Sequence, residues 1–182
     1  SSLGYSFLAG QVEHGKAMSS LIAPTVNSYK RIGVTAPTSG ATWAPGYICH
    51  GGDNRTVMFR VTGGHIEHRG VCGSANPYLA FTGILAAGLD GIDRELEAGQ
   101  PIHENLYAKS DAEIDALGIV RFPGTLLEAV RELPADDVLR AALGEVRDGD
   151  YIDYFAKVKE AEFREYHANV SAWEINQYLT LF

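Results

Sequence analysis

The start of the chain carries apolar residues at helical spacing, with small and polar residues between them. These apolar residues are Phe7, Leu8, Val12, Met18, Leu21 and Ile22. The pattern predicts one packed helix over residues 5–22, and Pro24 ends it because proline cannot continue a helix. Residues 24–52 follow and are rich in Pro, Gly, Ser and Thr. Their aromatic residues argue against simple disorder, so the stretch is predicted to be a long functional loop.

The next pattern has a period of two and predicts a β-hairpin. Residues 56–61 and 65–69 are strand-like, and a pair of glycines separates them. Alternation puts every second residue of the later strand on one face. The residues of that face are His65, Glu67 and Arg69. A strand face made of polar and charged side chains is turned toward solvent or toward a site.

Helical patterns dominate the remainder of the chain. Asn76 suits an N-cap and Pro77 suits the first helical position, which predicts a helix running through Leu89. Further helices are predicted at about 124–133, 135–143, 149–168 and 171–181, the last opened by a capping box of Ser171 and Glu174. The order of elements predicts an α+β fold, with antiparallel strands plus several helices. We expect its sheet to be completed by strands outside this chain.

Composition and charge exclude some classes of function. The chain is 46% apolar and 21% charged, as an ordinary globular protein is. A net charge of −8 argues against a nucleic-acid partner, and no apolar run approaches the roughly 20 residues that span a membrane. Cys49 and Cys72 lie outside any C-x-x-C pair, so we expect a cytoplasmic protein with two unreactive thiols. Ser1 opens no signal-peptide pattern and looks as if it lies inside a helix, which suggests a truncated chain.

Five short motifs occur in a fixed order along the chain. They are Pro24-Thr25-Val26-Asn27-Ser28-Tyr29-Lys30-Arg31, Asn54-Arg55-Thr56 with Arg60, Ile66-Glu67-His68-Arg69, Ala75-Asn76-Pro77-Tyr78-Leu79 and Ala86-Ala87-Gly88-Leu89-Asp90-Gly91-Ile92. In this order and spacing they resemble segments of glutamine synthetases. The resemblance continues through Asn105-Leu106-Tyr107 and covers essentially the whole chain.

The resemblance carries expectations about fold and activity. It implies that residues 1–182 are the C-terminal portion of a glutamine synthetase catalytic domain, with the N-terminal β-grasp domain and the start of the catalytic domain absent. It implies an ATP-dependent ligase of nitrogen metabolism that joins ammonia or a small amine to the γ-carboxylate of glutamate through γ-glutamyl phosphate. The full-length protein is expected to be a homo-oligomer of stacked rings. The 182-residue chain alone is expected to be inactive, because most metal-binding glutamates of the family lie earlier.

The charged residues of the motifs suit phosphoryl transfer, which needs positive charge on phosphate oxygens and bridging metal ions. The planar fork of arginine binds phosphate and carboxylate groups bidentately. By resemblance, Arg31 and Arg69 are catalytic residues that bind the glutamate carboxylate or the transferred phosphate. Arg55 and Arg60 hold the phosphates of ATP. Glu67 matches a metal-ligating glutamate, and a carboxylate is a ligand that Mg²⁺ or Mn²⁺ prefers.

Plainer explanations compete with these roles. A single arginine is more often a solvated surface charge than a ligand, and only the joint spacing of the motifs favours a site. Glu67 lies between His65 and His68, which also allows a zinc site. However, residues three apart on a strand point to opposite faces, so zinc is the weaker interpretation.

The sequence departs from ordinary glutamine synthetases in the segment that follows Arg31. The family carries a glutamate there that helps to bind ammonium, whereas residues 32–52 contain no acid. The run around Trp43 resembles the branch of γ-glutamylmethylamide synthetases and type III-like synthetases. An aromatic face attracts alkylammonium ions, which predicts that methylamine is used at least as well as ammonia. The alternative is that Trp43 only packs the loop and an acid from elsewhere replaces the missing one.

Two further departures keep other functions open. His65 stands where the family usually has an arginine, and Cys72 stands where it commonly has an aspartate. They favour a non-catalytic regulatory paralogue as an alternative to a ligase. A γ-glutamyl-amine ligase for methylamine or a polyamine is the other alternative.

Overall fold

The computed structural model describes residues 1–32, 44–147 and 149–181. Its helices are α1 (Ser2–Glu13), α2 (Gly15–Ile22), α3 (Val26–Tyr29), α4 (Pro77–Asp93), α5 (Asp111–Ala116), α6 (Leu126–Glu132), α7 (Asp137–Leu143), α8 (Tyr151–Ala168) and α9 (Ala172–Tyr178), with 3-10 turns at Leu106–Ala108 and Leu133–Ala135. Its strands are β1 (Tyr47–Gly51), β2 (Val57–Thr62), β3 (His65–His68), β4 (Val120–Arg121), β5 (Glu145–Val146) and β6 (Gly149–Asp150). The predicted α+β fold class is confirmed.

The predicted helix over residues 5–22 is two helices, α1 and α2. The chain leaves helical geometry at His14, whose φ and ψ are −86° and 5°. Gly15 opens α2 against Ile48 of β1, and a methyl group at Gly15 would lie 2.4 Å from Ile48 Cγ2. The prediction of one helix was wrong because the apolar spacing does not record this contact with a distant strand.

His14 joins three helices at the break. Its Nδ1 lies 2.6 Å from Asp136 Oδ2 at the start of α7, and its Nε2 lies 2.9 Å from Asp90 Oδ2 on α4. The hydrogen bond with Asp136 raises the pKa of His14, and that with Asp90 adds to it, whereas burial opposes them. The two short contacts show that a buried ionic cluster ties α4 and α7 to the end of α1.

Helices α1 and α4 cross with their backbones in contact. A methyl group at Gly10 would lie 1.9 Å from the carbonyl oxygen of Ala87, and one at Gly91 would lie 2.2 Å from that of Ser6. A methyl group at Gly88 would instead meet the side-chain ring of Phe7. A side chain at Gly10 or Gly91 would push the two backbones apart, so these glycines allow the close crossing of α1 and α4.

The predicted loop of residues 24–52 contains two regular elements in its described part. Thr25 caps α3 through the backbone N–H of Ser28, and β1 begins at Tyr47. The sheet has the order β3-β2-β1-β4, in which β1 runs parallel to β2 and antiparallel to β4. The prediction of one long loop was therefore wrong for these two segments, because an interior strand depends on partners from elsewhere in the chain.

The predicted hairpin is confirmed as β2 and β3. Its register pairs Thr62 with His65 across a two-residue turn, and it pairs Arg60 with Glu67. Gly63 and Gly64 have φ values of 54° and 85°, which favour glycine. The ladder continues past β3, because the backbone N–H of Arg69 donates to the carbonyl of Met58 at 2.8 Å.

The helices predicted for the remainder of the chain are present, with shifted ends. Asn76 caps α4 through Tyr78 N, Pro77 is its first residue, and Ser171 caps α9 through Glu174 N. The sequence did not predict α5 or β4, because both are very short. Among the described residues, no helix is long and apolar enough to cross a membrane.

The main hydrophobic core lies between the sheet and the helices. Its fully buried side chains include Leu8, Met18, Phe59, Leu126 and Leu139, from helices at both ends of the chain and from β2. A smaller cluster of Val57, Leu106 and Ile114 packs the segment after α4 onto β2. The two clusters fix the hairpin from both sides, so the polar face of the hairpin is held in place.

Candidate active site

The hairpin brings three of the predicted site residues together. Glu67 Oε2 accepts a hydrogen bond from Arg60 Nη1 at 3.2 Å, and Glu67 Oε1 accepts one from Arg69 Nη1 at 3.4 Å. Arg60 Nη2 also donates to Asp53 Oδ1 at 2.8 Å. One carboxylate is therefore shared by two guanidinium groups, as the register and the predicted common face of Glu67 and Arg69 require.

The two arginines of this cluster differ in exposure. The side chain of Arg69 is 12% exposed, whereas those of Arg60 and Glu67 are 27% and 40% exposed. The hydrogen bonds with Asp53 and then Glu67 raise the pKa of Arg60, so this group is charged at any relevant pH. The cluster is a half-buried network of ion pairs in which two guanidinium groups share the carboxylate of Glu67.

Arg55 is held at the rim of the cluster by its neighbours. Asn54 is buried, and its Nδ2 donates to the carbonyls of Ile102 and Glu104 at 3.0 and 2.8 Å. Asn54 Oδ1 accepts hydrogen bonds from the backbone N–H and the hydroxyl of Thr56 at 2.9 and 2.7 Å. Arg55 itself is exposed, and its carbonyl accepts a hydrogen bond from Arg69 Nη2 at 3.3 Å.

The sequence identified this motif but did not predict that its three residues have different roles. Asn54 and Thr56 anchor the turn before β2, and Arg55 alone projects outward. The signal that could have separated them is the polar, short side chain on each side of a long charged one.

Arg31 lies in a second group, next to the end of α3. Arg31 makes the smallest of the contributions that lower the pKa of Cys72, which lies three residues after Arg69. Nη2 of Arg31 is buried and has no hydrogen-bond partner among the described residues. A buried guanidinium nitrogen of this kind lacks an acceptor that an anionic ligand could supply.

The two thiols have opposite environments. Burial raises the pKa of Cys49 to about 12, as expected of an unreactive thiol. Burial also raises the pKa of Cys72, but hydrogen bonds from Ser28 and Ser74, with a contribution from Arg31, outweigh it and lower the pKa to about 7. The two thiols therefore differ in environment, because the partners of Cys72 come from segments far apart in sequence.

The histidines beside Glu67 diverge, as the alternation predicted. His65 is exposed, whereas the ring of His68 packs edge-on against Phe59 at a centroid distance of 4.7 Å. Burial lowers the pKa of His68 to about 4. The two imidazoles do not converge on Glu67.

Glu67 has carboxylate oxygens, which are the ligands that a hard divalent cation prefers. Among the described residues, it does not belong to a group of three or more potential metal ligands. Within residues 1–32, 44–147 and 149–181, no three His, Cys, Asp or Glu side chains come together as a metal site. Within the described residues, Glu67 could supply one carboxylate ligand of such a site. Arg60 and Arg69 occupy both oxygens of that carboxylate here.

One site prediction lies outside the described residues. It concerns the segment 33–43, which includes Trp43, the aromatic residue proposed to favour an alkylammonium donor.

Arg121, which the sequence places before Pro123 and away from the motifs, lies on β4. It forms ion pairs with Asp111 and Asp115 at 2.9 and 2.5 Å. The structure gives it a surface role that is separate from the hairpin cluster.

Comparison with known proteins connects these features to one family. The sequence profile described as "Glutamine synthetase, catalytic domain" matches residues 1–178. A glutamate–methylamine ligase of Methyloversatilis universalis is 47% identical over all 182 residues, which cover 40% of that protein. A glutamine synthetase of Halobacterium salinarum is 39% identical over 189 aligned positions, covering 100% of this chain and 39% of that protein.

Solved structures agree with the sequence comparison. The structure titled "GmaS/ADP complex-Conformation 1" has a TM-score of 0.84 and 41% identity, covering 98% of this chain and 40% of its own. "Apo GmaS without ligand" has a TM-score of 0.80 and 38% identity, covering 99% and 39%. The chain spans about two fifths of the length of these relatives. With a family profile matched over nearly its whole length, the chain belongs to the glutamine synthetase catalytic-domain family.

Proposed function

We propose that the protein carrying this chain is an ATP-dependent ligase that joins a nitrogen donor to the γ-carboxylate of glutamate through γ-glutamyl phosphate. In this proposal, residues 1–182 are the C-terminal portion of the catalytic domain. A homo-oligomer acting in the cytoplasm is part of the same proposal.

The observation that carries the proposal is the cluster of Arg60, Glu67 and Arg69. Two guanidinium groups within hydrogen-bond distance of one carboxylate create a site where anionic oxygens can replace that carboxylate. Arg60, with Arg55 at the rim, binds the phosphates of ATP. Arg69 is the more buried arginine, and a charge at low exposure acts more strongly on charge that develops during transfer. Arg69 therefore stabilises the transferred phosphoryl group.

Arg31 completes the set on the glutamate side. Its buried Nη2 lacks an acceptor among the described residues, and the carboxylate of glutamate would supply one. Binding of that carboxylate fixes the substrate relative to the phosphoryl group, and fixed orientation is a large part of the rate that such sites achieve.

Glu67 is the proposed ligand for Mg²⁺ or Mn²⁺. When ATP phosphates engage Arg60 and Arg69, both oxygens of Glu67 become available to a cation. A divalent cation bound there would neutralise negative charge on the phosphate oxygens. The ligand role of Glu67 therefore requires its release from the two arginines.

The nitrogen donor separates two candidate functions. A small alkylamine is favoured by one observation: a glutamate–methylamine ligase is 47% identical to this chain, against 39% for a glutamine synthetase over a comparable length. Residues 32–52 also contain no acid that could bind ammonium. Ammonia, and hence glutamine synthesis, is the second candidate.

The test uses the complete protein with ATP, glutamate and either ammonium or methylamine. Phosphate release and the mass of the amide product are measured side by side. We expect glutamate-dependent phosphate release, with kcat/KM for methylamine at least equal to that for ammonium. A constant strongly favouring ammonium selects glutamine synthesis. No glutamate-dependent turnover with either donor, in a folded protein, rejects the ligase and leaves a non-catalytic paralogue.

A further inference from the structure

Asp53 is a second acid on one of the arginines that are proposed to bind ATP. Arg60 Nη2 donates to Asp53 Oδ1 at 2.8 Å, and Nη1 of the same guanidinium donates to Glu67 Oε2 at 3.2 Å. Asp53 lies just before the Asn54-Arg55-Thr56 motif and is not part of it. The shorter of these two contacts on Arg60 is therefore made by a carboxylate that the proposed reaction does not use.

The backbone holds Asp53 beside Arg60. The register of the parallel strands places Gly51 of β1 opposite Arg60 of β2, and Asp53 follows two residues after Gly51. The next residue, Asn54, is buried, and its side chain donates to two carbonyls of the loop that follows α4. The contact between Asp53 and Arg60 therefore follows from the register of the sheet and from an anchored turn.

The surroundings of the Arg60 guanidinium determine where an anion can reach it. Nε is buried, and Nη1 faces Glu67, which also accepts a hydrogen bond from Arg69. The side chain of Asp53 is 87% exposed, so Nη2 lies on the side of the guanidinium that faces solvent. An exposed ion pair is weak, and a phosphate group offers an arginine more acceptor oxygens and more negative charge than a carboxylate does. A phosphate that arrives from solvent can therefore take the place of Asp53.

We propose that Asp53 occupies the phosphate position on Arg60 while nucleotide is absent, and that ATP binds by displacing this carboxylate. Asp53 thereby lowers the affinity of the site for nucleotide. The inference rests on the proposed function, because Arg60 meets a phosphate only if the site binds ATP. The two acids on Arg60 then behave differently when ATP binds, because Glu67 passes to a divalent cation whereas Asp53 is released into water.

The first experiment measures the Kd for MgATP by isothermal titration calorimetry in the complete protein and in Asp53→Asn. The amide keeps the shape of the side chain and removes its charge, so Arg60 loses a competing anion. The Kd should fall about two- to fivefold, the ratio that corresponds to an exposed ion pair. Damage to the fold weakens ligand binding, so tighter binding identifies a removed competitor. Asp53→Glu restores a carboxylate and should return the Kd toward that of the unmodified protein.

Glu104→Gln is the control for nearby negative charge. Glu104 lies on the loop that anchors the turn, its side chain is 68% exposed, and it forms an ion pair with Lys109. This variant should leave the Kd for MgATP unchanged.

Ionic strength gives a second readout, because salt screens exposed ion pairs. The Kd of the unmodified protein divided by that of Asp53→Asn should fall toward one as salt is raised from about 50 mM to about 500 mM.

The outcomes separate the two proposals. A Kd for MgATP that is unchanged or raised in Asp53→Asn overturns the role of Asp53 and leaves the ligase intact. An equal gain in Glu104→Gln, or a ratio of Kd values that does not change with salt, also overturns it, because the effect then does not come from the contact with Arg60. Absence of MgATP binding by the folded, unmodified protein overturns the proposed function and this inference with it.

Discussion

Removing the imidazole of His14 should loosen α7 in a pH-dependent way. The perturbation is His14→Gln, which keeps a polar side chain of similar length but cannot carry charge. In the structure, the ring bridges Asp136 and Asp90 at 2.6 and 2.9 Å, and its own side chain is only 9% exposed. Loss of the ring removes one partner from each of these two carboxylates.

The magnitude follows from what remains after the substitution. Removing one partner of a buried ion pair costs about 3–5 kcal/mol. Here Asp90 keeps Arg94 at 2.8 Å, and Asp136 keeps the backbone N–H of Leu139 at 2.9 Å, so neither carboxylate is orphaned. We therefore expect about 2–3 kcal/mol of local stability to be lost. At 1.4 kcal/mol per tenfold, amide exchange from α7 should become about 30- to 140-fold faster.

The pH dependence gives the prediction its sign. The pKa of His14 is raised from 6.5, so its contribution is complete below about pH 6.5 and is lost as pH rises through the raised value. Burial raises the pKa values of Asp90 and Asp136, but hydrogen bonds with His14 help to bring them below 3.8. The two carboxylates therefore contribute stability above about pH 3.8, and this contribution is lost as pH falls through the lowered pKa values. The stability of the unmodified protein should exceed that of His14→Gln by the largest amount between about pH 4 and 6.5.

Native-state hydrogen exchange of the complete protein, measured by mass spectrometry at pH 6 and pH 8.5, tests this. Protection factors for α7 should differ strongly between protein and variant at pH 6 and less at pH 8.5. Arg94→Ala is the matched control, since it removes the other cation on Asp90 at a half-exposed position and should change the protection of α7 little. Equal protection of α7 in the protein and in His14→Gln at both pH values would refute the reasoning.

The remaining predictions concern the hairpin site and its support. Arg69→Ala in the complete enzyme should lower kcat by about 10²–10³, the usual cost of losing a group that stabilises developing charge. Arg164 is an exposed helical arginine, so Arg164→Ala should leave steady-state kinetics unchanged. Equal kinetics for the two variants would remove Arg69 from the site. Glu67→Gln should weaken activation by Mg²⁺ or Mn²⁺ in a metal titration while thermal stability is kept, and an unaltered metal response would contradict a ligand role. Asn54→Ala leaves the carbonyls of Ile102 and Glu104 without their donor, so it should cost about 1–3 kcal/mol in thermal unfolding, and a change below 0.5 kcal/mol would contradict the anchoring role.

Local sequence signals predicted the local structure well. The cap at Asn76, the proline at Pro77 and the glycine pair in the hairpin each act over a few residues, so their patterns survive in the sequence. Alternation predicted the common face of Glu67 and Arg69, and the family motifs singled out Arg60. The pairing of Arg60 with Glu67 was not predicted, because it depends on the exact register across the two-residue turn.

Long-range contacts account for what the sequence did not predict. The break at His14 depends on the contact of Gly15 with Ile48 in a distant strand, and helical spacing contains no trace of that contact. β1 is a strand because β2 and β4 flank it, whereas its own residues follow a Pro- and Gly-rich stretch. The low pKa of Cys72 depends on Ser28, which is 44 residues away, so composition alone suggested an inert thiol.

The close crossing of α1 and α4 at glycines links the pKa of His14 to the distance between these two helices. Gly91 adjoins Asp90, and the α1 helix that carries Gly10 ends immediately before His14. Any change that separates the two backbones also lengthens the contact between His14 and Asp90, and a longer contact lowers the pKa of the imidazole toward its usual value. An NMR titration of this ring should therefore show a lower pKa when α1 and α4 separate, while the larger contribution of Asp136 to the raised pKa remains.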